Sequence, residues 1–470
     1  MSPPSSPAGP ARSAPPTPRY DAASHEDSRL PRRLGLWSAL AVLIGSVIGS
    51  GIFRSPAGIA DRLPGPVPMF AVWIAGGLFA LCGALTLAEV ASALPRTGGI
   101  YVFVREGWGR LWAFLFGWAQ LAVIRAAALG AISTTFAEYL VRVLGFDPAV
   151  APYSTWVHFI AAAAIIITAG FNIRGVRWGA NVQVGTTIAK YGALVFIVLL
   201  AFTIGASRLD LGASFTPAAP EGSFALPAFG LALVSVLWVF DGWADVSYLA
   251  GEVKDPRRTL PLALIIGTLA VLGIYLLVNM AYLAVLGMDD MRRSPLVAAD
   301  VAQVLLGGPG VIFVSLTVMI STFGTLNGTQ LTNPRIFFAM ADDELFFRKM
   351  AAVHPRWETP YMAIGLSAVL GVVWVMLLNF EELADAFVTA ILPFYALGVA
   401  AIFVLRKRPS YDPSFRVPLY PIVPALFVFA VLLLLGNALI DPSSRMLTLI
   451  TLGMVAVGIP VYYATVGRKR

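Results

Sequence analysis

Two short stretches of this chain carry residues at odds with their apolar surroundings. The first, Gly45-Ser46-Val47-Ile48-Gly49-Ser50-Gly51, puts three glycines and two serines into seven residues. Glycine costs a helix interior about 1 kcal/mol relative to alanine, so continuous helix is disfavoured there. The second, Phe240-Asp241-Gly242-Trp243-Ala244-Asp245, sets two carboxylates and a glycine in another apolar run. A carboxylate near the middle of a bilayer costs about 2.5–3.5 kcal/mol on insertion scales, so each needs water or a partner. Where a helix unwinds, N–H groups open one half-helix and carbonyls close the other. The first suit an anion such as a carboxylate, the second a cation such as an ammonium. A zwitterionic α-amino acid presents both. Two plainer readings stay open: Gly45-x-x-x-Gly49 also fits a close-packed helix interface, and Asp241 or Asp245 also fits a hydrated helix end.

The elements that would position these residues follow from composition. The chain has 470 residues, is 58% hydrophobic and 13% charged, and has a mean hydropathy of +0.79. Soluble domains run near 25% charged, so a chain this apolar needs lipid around it. The net charge of +7 reads as basic loops of a membrane protein. No basic patch interleaved with aromatics suggests nucleic acid as a partner. Cys82 is the single cysteine, which excludes an intramolecular disulfide framework and a cysteine metal site. Three scattered histidines argue against a metal centre, and no motif calls for a cofactor.

Residues 1–33 are rich in Pro, Ser, Ala and Arg without apolar periodicity, and are expected to form a disordered tail, not a signal peptide. Apolar runs of spanning length then follow. They predict about twelve helices: Leu36–Ala60, Met69–Leu94, Leu111–Val141, Thr155–Asn172, Val182–Ile204 and Pro227–Ala250, then Leu260–Leu286, Val311–Ala341, Pro360–Asn379, Leu383–Leu405, Leu419–Ile440 and Met446–Val466. Runs this long exclude barrel strands. Most of the 33 Lys and Arg residues fall in the tail and on alternate loops, as at Arg105, Arg110, Lys254, Arg257, Arg406 and Lys407. That asymmetry puts both termini in the cytoplasm.

The broken runs are the first and the sixth, each opening a set of five. Interrupted helices at matching places in two halves indicate an inverted repeat with the substrate site between them. The expected organisation is 1–33 tail, 34–205 first half, 206–405 second half, and 406–470 two further helices with a short C-terminus. Lys190 stands in the middle of the fifth run, where an isolated ammonium needs a partner. Snorkelling to the cytoplasmic surface is its alternative. Arg125 in the third run calls for a structural partner on a neighbouring helix. Glu89 and Glu252 read as solvated helix ends or inner-gate ion pairs.

Further motifs extend the pattern. Gly45-Ser-Val-Ile-Gly-Ser-Gly-Ile-Phe53 is followed by Leu94-Pro-Arg-Thr-Gly-Gly-Ile-Tyr101 and Asn172-Ile-Arg-Gly-Val176. Asp241-Gly-Trp243 leads into Gly251-Glu-Val-Lys-Asp-Pro-Arg-Arg-Thr-Leu-Pro261, with Gly324-Thr-Leu-Asn-Gly328, His354-Pro-Arg356 and Thr359-Pro360 beyond. In this order the chain resembles the amino acid–polyamine–organocation superfamily, and within it bacterial relatives of the L-type amino acid transporters. The resemblance runs from about Leu34 to Tyr463. It implies an all-α integral membrane fold of five plus five helices with two added, and sodium-independent exchange of L-amino acids. It also implies site roles. The N–H groups of Ser50 and Gly51, with the Ser50 hydroxyl, would hold the substrate carboxylate. The carbonyls of Val47, Trp238 and Asp241 would take the ammonium. The Trp238 ring would close over the substrate, and Phe240 and Gly242 would join the pocket wall. Lys190 would stand where sodium-coupled relatives bind an ion. Eukaryotic L-type chains join a heavy subunit through a cysteine after the third helix, and 143–154 here has none, so no disulfide-linked heavy subunit is expected. A proton-coupled symporter, or a carrier of cationic amino acids or polyamines, is the competing transport reading. A sensor, a channel or an integral membrane enzyme fits less well, for want of a soluble domain or a catalytic constellation.

Overall fold

The computed structural model describes residues 32, 34–96, 98–174, 192, 194–203, 215, 220, 223–346, 350, 352, 354–357 and 359–466. Among them there is no strand, only one isolated bridge between Leu34 and Val253. The helices in order are α1 (Leu36–Val47), α2 (Gly51–Asp61), α3 (Pro66–Ala93), α4 (Ile100–Trp108) and α5 (Arg110–Ala119). A π-helical turn, Gln120–Ile124, leads into α6 (Arg125–Val143), then α7 (Tyr153–Arg174) and α8 (Leu194–Thr203). Next come α9 (Leu226–Phe240), a 3-10 segment Asp245–Glu252, α10 (Pro256–Arg293), α11 (Val297–Leu306) and α12 (Gly308–Asp342). The chain closes with α13 (Tyr361–Leu377), α14 (Phe380–Leu405), α15 (Ile422–Ile440), α16 (Arg445–Ala456) and α17 (Gly458–Thr465).

Nine helical stretches among the described residues are long and apolar enough to cross a membrane, three of them joining successive elements (α5 with α6, α9 with the 3-10 segment, α16 with α17), and α1 with α2, bent by 46° at their junction, makes a tenth. The predicted all-helical membrane class therefore holds. The fifth predicted span, Val182–Ile204, lies largely outside the described residues, and only its end appears, as α8. Local chemistry sets the ends of several helices. Pro66 opens α3, where a missing N–H costs nothing. Asn379 and Glu382 form a reciprocal capping box at the start of α14.

Side chains sort by environment. On α15 the exposed residues include Ile422, Leu426, Phe429, Leu432 and Leu433, apolar groups that only lipid would cover at no cost. Buried aromatics such as Trp73, Tyr139, Tyr275 and Phe240 fill the interior. α1, α2, α3, α9 and α10 pack into one group, and α6, α7, α12 and α13 into another. α14 lies against both, touching α9 and α6. The two interrupted segments thus face α6 and α14 across the middle of the molecule.

Candidate binding site at the paired helix breaks

The first break falls at Ile48-Gly49-Ser50. Ile48 still donates to the Ile44 carbonyl at 2.9 Å, but its ψ of 88° ends the helix. α2 restarts at Gly51 with no side-chain cap, which leaves its first N–H groups aimed into the interior. The second break occupies Asp241 to Ala244, turned by Gly242 at φ +100°, a value that L side chains rarely adopt. The breaks touch. A β carbon on Gly242 would stand 2.9 Å from the Ser46 carbonyl carbon, and one on Gly51 would stand 3.1 Å from the Val239 α carbon. Both glycines are therefore where backbone meets backbone.

The predicted site residues divide in three. Val47, Ser50, Gly51, Trp238, Asp241 and Gly242 come together at this junction, and all but Asp241 are buried. Trp238 presents its ring to Phe387 at a centroid distance of 5.0 Å and to Phe380 at 6.3 Å, both edge-on, and its indole N–H has no acceptor. Phe240 turns the other way: its ring packs on Tyr275 at 5.1 Å and Trp73 at 6.3 Å. Residues two apart on a helix point to opposite sides, so Phe240 backs onto α3 and α10 and is core rather than wall. Lys190 lies outside the described residues.

Several partners were not expected from sequence. The Tyr275 hydroxyl is 2.9 Å from the Val47 carbonyl and 2.9 Å from the Val239 carbonyl, bridging the last carbonyl of α1 and the next-to-last of α9. The Trp238 carbonyl accepts from the Asp241 N–H at 3.2 Å. Each carbonyl keeps a second lone pair for a ligand. The Tyr395 hydroxyl, on α14, donates to Asp241 at 2.5 Å. Asp245 takes the Ser46 hydroxyl, and Arg125 stands in the field of both Asp241 and Asp245. The Arg125 Nε is buried without a hydrogen-bond partner. The π turn just before Arg125 inserts an extra residue into the helix, a distortion common at functional sites. Uncapped N–H groups, free lone pairs and an unequal set of charges thus converge at the junction of the two breaks.

Both faces are closed over it. On the face where the described chain begins, Leu34 donates to the Glu252 carbonyl at 3.0 Å and accepts from Lys254 at 2.8 Å. Glu89, wholly buried, holds Arg406 through two bonds of 2.8 and 2.7 Å and accepts the Val417 N–H at 2.6 Å. Glu89 is thus an ion-pair anchor, not a solvated end. On the opposite face, Arg54 and Arg62 of the α2 segment bind carboxylates of α6 and α14. Arg54 shows what sequence could have supplied: charges within apolar runs pair with one another, and Glu138 is such a charge.

The model of the amino acid permease family matches residues 34–459 of the chain. The serine/threonine exchanger SteT of Bacillus subtilis is 32% identical, over 94% of this chain and 99% of its own length. The human b(0,+)-type amino acid transporter 1 is 30% identical over 88% of this chain and 84% of its own. The rabbit (Oryctolagus cuniculus) large neutral amino acids transporter small subunit 2 is 30% identical over 92% and 80%.

Proposed function

The chain belongs to the amino acid permease family, and we propose that it exchanges L-α-amino acids across the cytoplasmic membrane by alternating access, without sodium. The observation that carries this reading is the contact between the two breaks, with uncapped N–H groups of α2 beside the terminal carbonyls of α9. Such a junction is complementary to a carboxylate and an ammonium one carbon apart. A relative that is a serine/threonine exchanger supports exchange as the mode.

In this reading Ser50 and Gly51 hold the carboxylate, and the carbonyls of Val47, Trp238 and Asp241 the ammonium. Trp238 is the lid, and Gly242 is part of the pocket wall. Lys190 takes the place of a coupling cation. The segments 34–205 and 206–405 act as the two repeats, and 406–470 adds the last helices. Both termini face the cytoplasm, as the Lys and Arg distribution favours. The single cysteine, Cys82 on α3, is far in sequence from the 143–154 segment, so this carrier works without a disulfide-linked heavy subunit.

The test is uptake of labelled amino acids into proteoliposomes. Uptake that needs unlabelled amino acid inside and ignores sodium is the expected result; equal uptake into empty vesicles would refute exchange. One observation favours a second reading. Among the described residues, Asp241 and Asp245 face one guanidinium, Arg125, which leaves one carboxylate for a proton or a cationic side chain. Uptake into empty vesicles driven by a proton gradient, or strong competition by lysine, would favour it.

A further inference from the structure

The face opposite Leu34 carries charges to which the binding site gives no task. Arg54 lies in α2 and Arg62 caps its end, about two helical turns further on. Arg54 donates to Glu138 of α6 at 2.8 Å and lies 2.8 Å from Glu381 of α14. Arg62 donates to the Ser235 hydroxyl at 2.7 Å and the Leu231 carbonyl at 2.9 Å, both on α9, and to Asp385 of α14 at 3.3 Å. Two arginines thus tie one half-helix to three other helices. The Arg54 guanidinium also lies 5.0 Å from the centre of the Phe380 ring. Phe380 in turn meets Trp238 edge-on. The charges and the lid over the helix breaks form one continuous stack. Beside it a narrow opening runs between α2, α9 and α14, lined among others by Gly58, Arg62, Glu381 and Ala384.

We propose that Arg54 and Arg62 form an ionic clasp that holds this face shut over Trp238 and must release for substrate to pass. The inference rests on the transport reading. Its physical ground is what happens on opening. An apolar seal, once parted, exposes apolar surface to water and resists parting. Ion pairs desolvated in the closed state gain little over apolar packing, yet their separated groups are fully hydrated in the open state. The side chains of Arg62 and Asp385 are already 26% and 19% exposed, so water reaches them without rearrangement. Arg54 and Glu138, at 13% each, lie deeper and nearer the lid.

The test reads access directly. In a Cys82→Ser background, Ala384→Cys places a thiol at a buried position beside the opening. Its rate of modification by an impermeant maleimide is then measured in proteoliposomes. Arg54→Gln and Arg62→Gln should each raise that rate several-fold, and the charge swap Arg62→Asp with Asp385→Arg should return it toward the parent rate. The native Cys82, labelled in otherwise unaltered Arg54→Gln protein, monitors general loosening. An unchanged rate at Ala384→Cys while the same variants still exchange amino acid overturns the clasp and leaves the transport reading intact. A rise matched at Cys82 also overturns it, because the arginines would then be holding the fold rather than the gate. If glutamine variants do not reach the membrane, Arg62→Lys and Asp385→Asn serve in their place, with the same two outcomes.

Discussion

Gly242 and Ser46 meet backbone to backbone, so that a β carbon on Gly242 would stand 2.9 Å from the Ser46 carbonyl carbon. The two residues are nearly two hundred positions apart in sequence; Gly242 lies in the second break and Ser46 in the last turn of α1 before the first. Their contact brings the two interruptions together. Gly242→Ala must move that backbone and also hold an L side chain at positive φ, which costs about 1–2 kcal/mol by itself. Exchange should fall about tenfold or more, with the protein still in the membrane. Gly51→Val, facing Val239 at 3.1 Å, should abolish it. Both are checked by proteoliposome exchange normalised to reconstituted protein.

Tyr275→Phe removes the one hydroxyl shared by the Val47 and Val239 carbonyls. An unmade hydrogen bond at a buried carbonyl costs about 1–3 kcal/mol. The thermal midpoint in detergent should fall by several degrees, and substrate should restore part of the loss by binding the same carbonyls. A midpoint equal to the parent's would show that the carbonyls find other donors.

Asp241→Asn keeps the shape and the Tyr395 contact but removes the charge. If the carboxylate's field helps hold the ammonium, the KM should rise about tenfold, in keeping with about 1.5 kcal/mol for a hydrogen bond to a charged group. The measurement is initial exchange rate against substrate concentration. An unchanged KM would leave recognition to the backbone carbonyls alone.

Glu89→Gln strands Arg406, which now shares two hydrogen bonds with a wholly buried carboxylate. Breaking a buried pair by removing one partner costs about 3–5 kcal/mol; since Arg406 is 22% exposed, the low end is expected. Thermal unfolding in detergent should show a clear loss of stability whether or not substrate is present.

Much of this was legible in the sequence. The helix breaks could be read because glycine, serine and aspartate in apolar runs violate a local rule, and the structure breaks the helices within those stretches. Which way a side chain points around its helix axis could not. Trp238 and Phe240 differ only in the side of α9 they occupy, and packing against α14 on one side and α3 with α10 on the other decides that. Tyr275 and Tyr395 sit in ordinary apolar runs, where a tyrosine gives no sign of what its hydroxyl will reach. Arg54 and Glu138 are 84 residues apart, beyond any periodic signal. Lys190 lies outside the described residues, so its role as a brace stays with the sequence reading.

The central claim is that the paired breaks hold the α-carboxylate and the α-ammonium of one substrate. The most direct test is competition for binding of a labelled L-amino acid to purified protein, using the unlabelled parent, its N-acetyl derivative and its carboxamide. The account predicts that the parent displaces the label while both derivatives fail, because each lacks one of the two charges. Displacement by either derivative as effective as the parent's would contradict it.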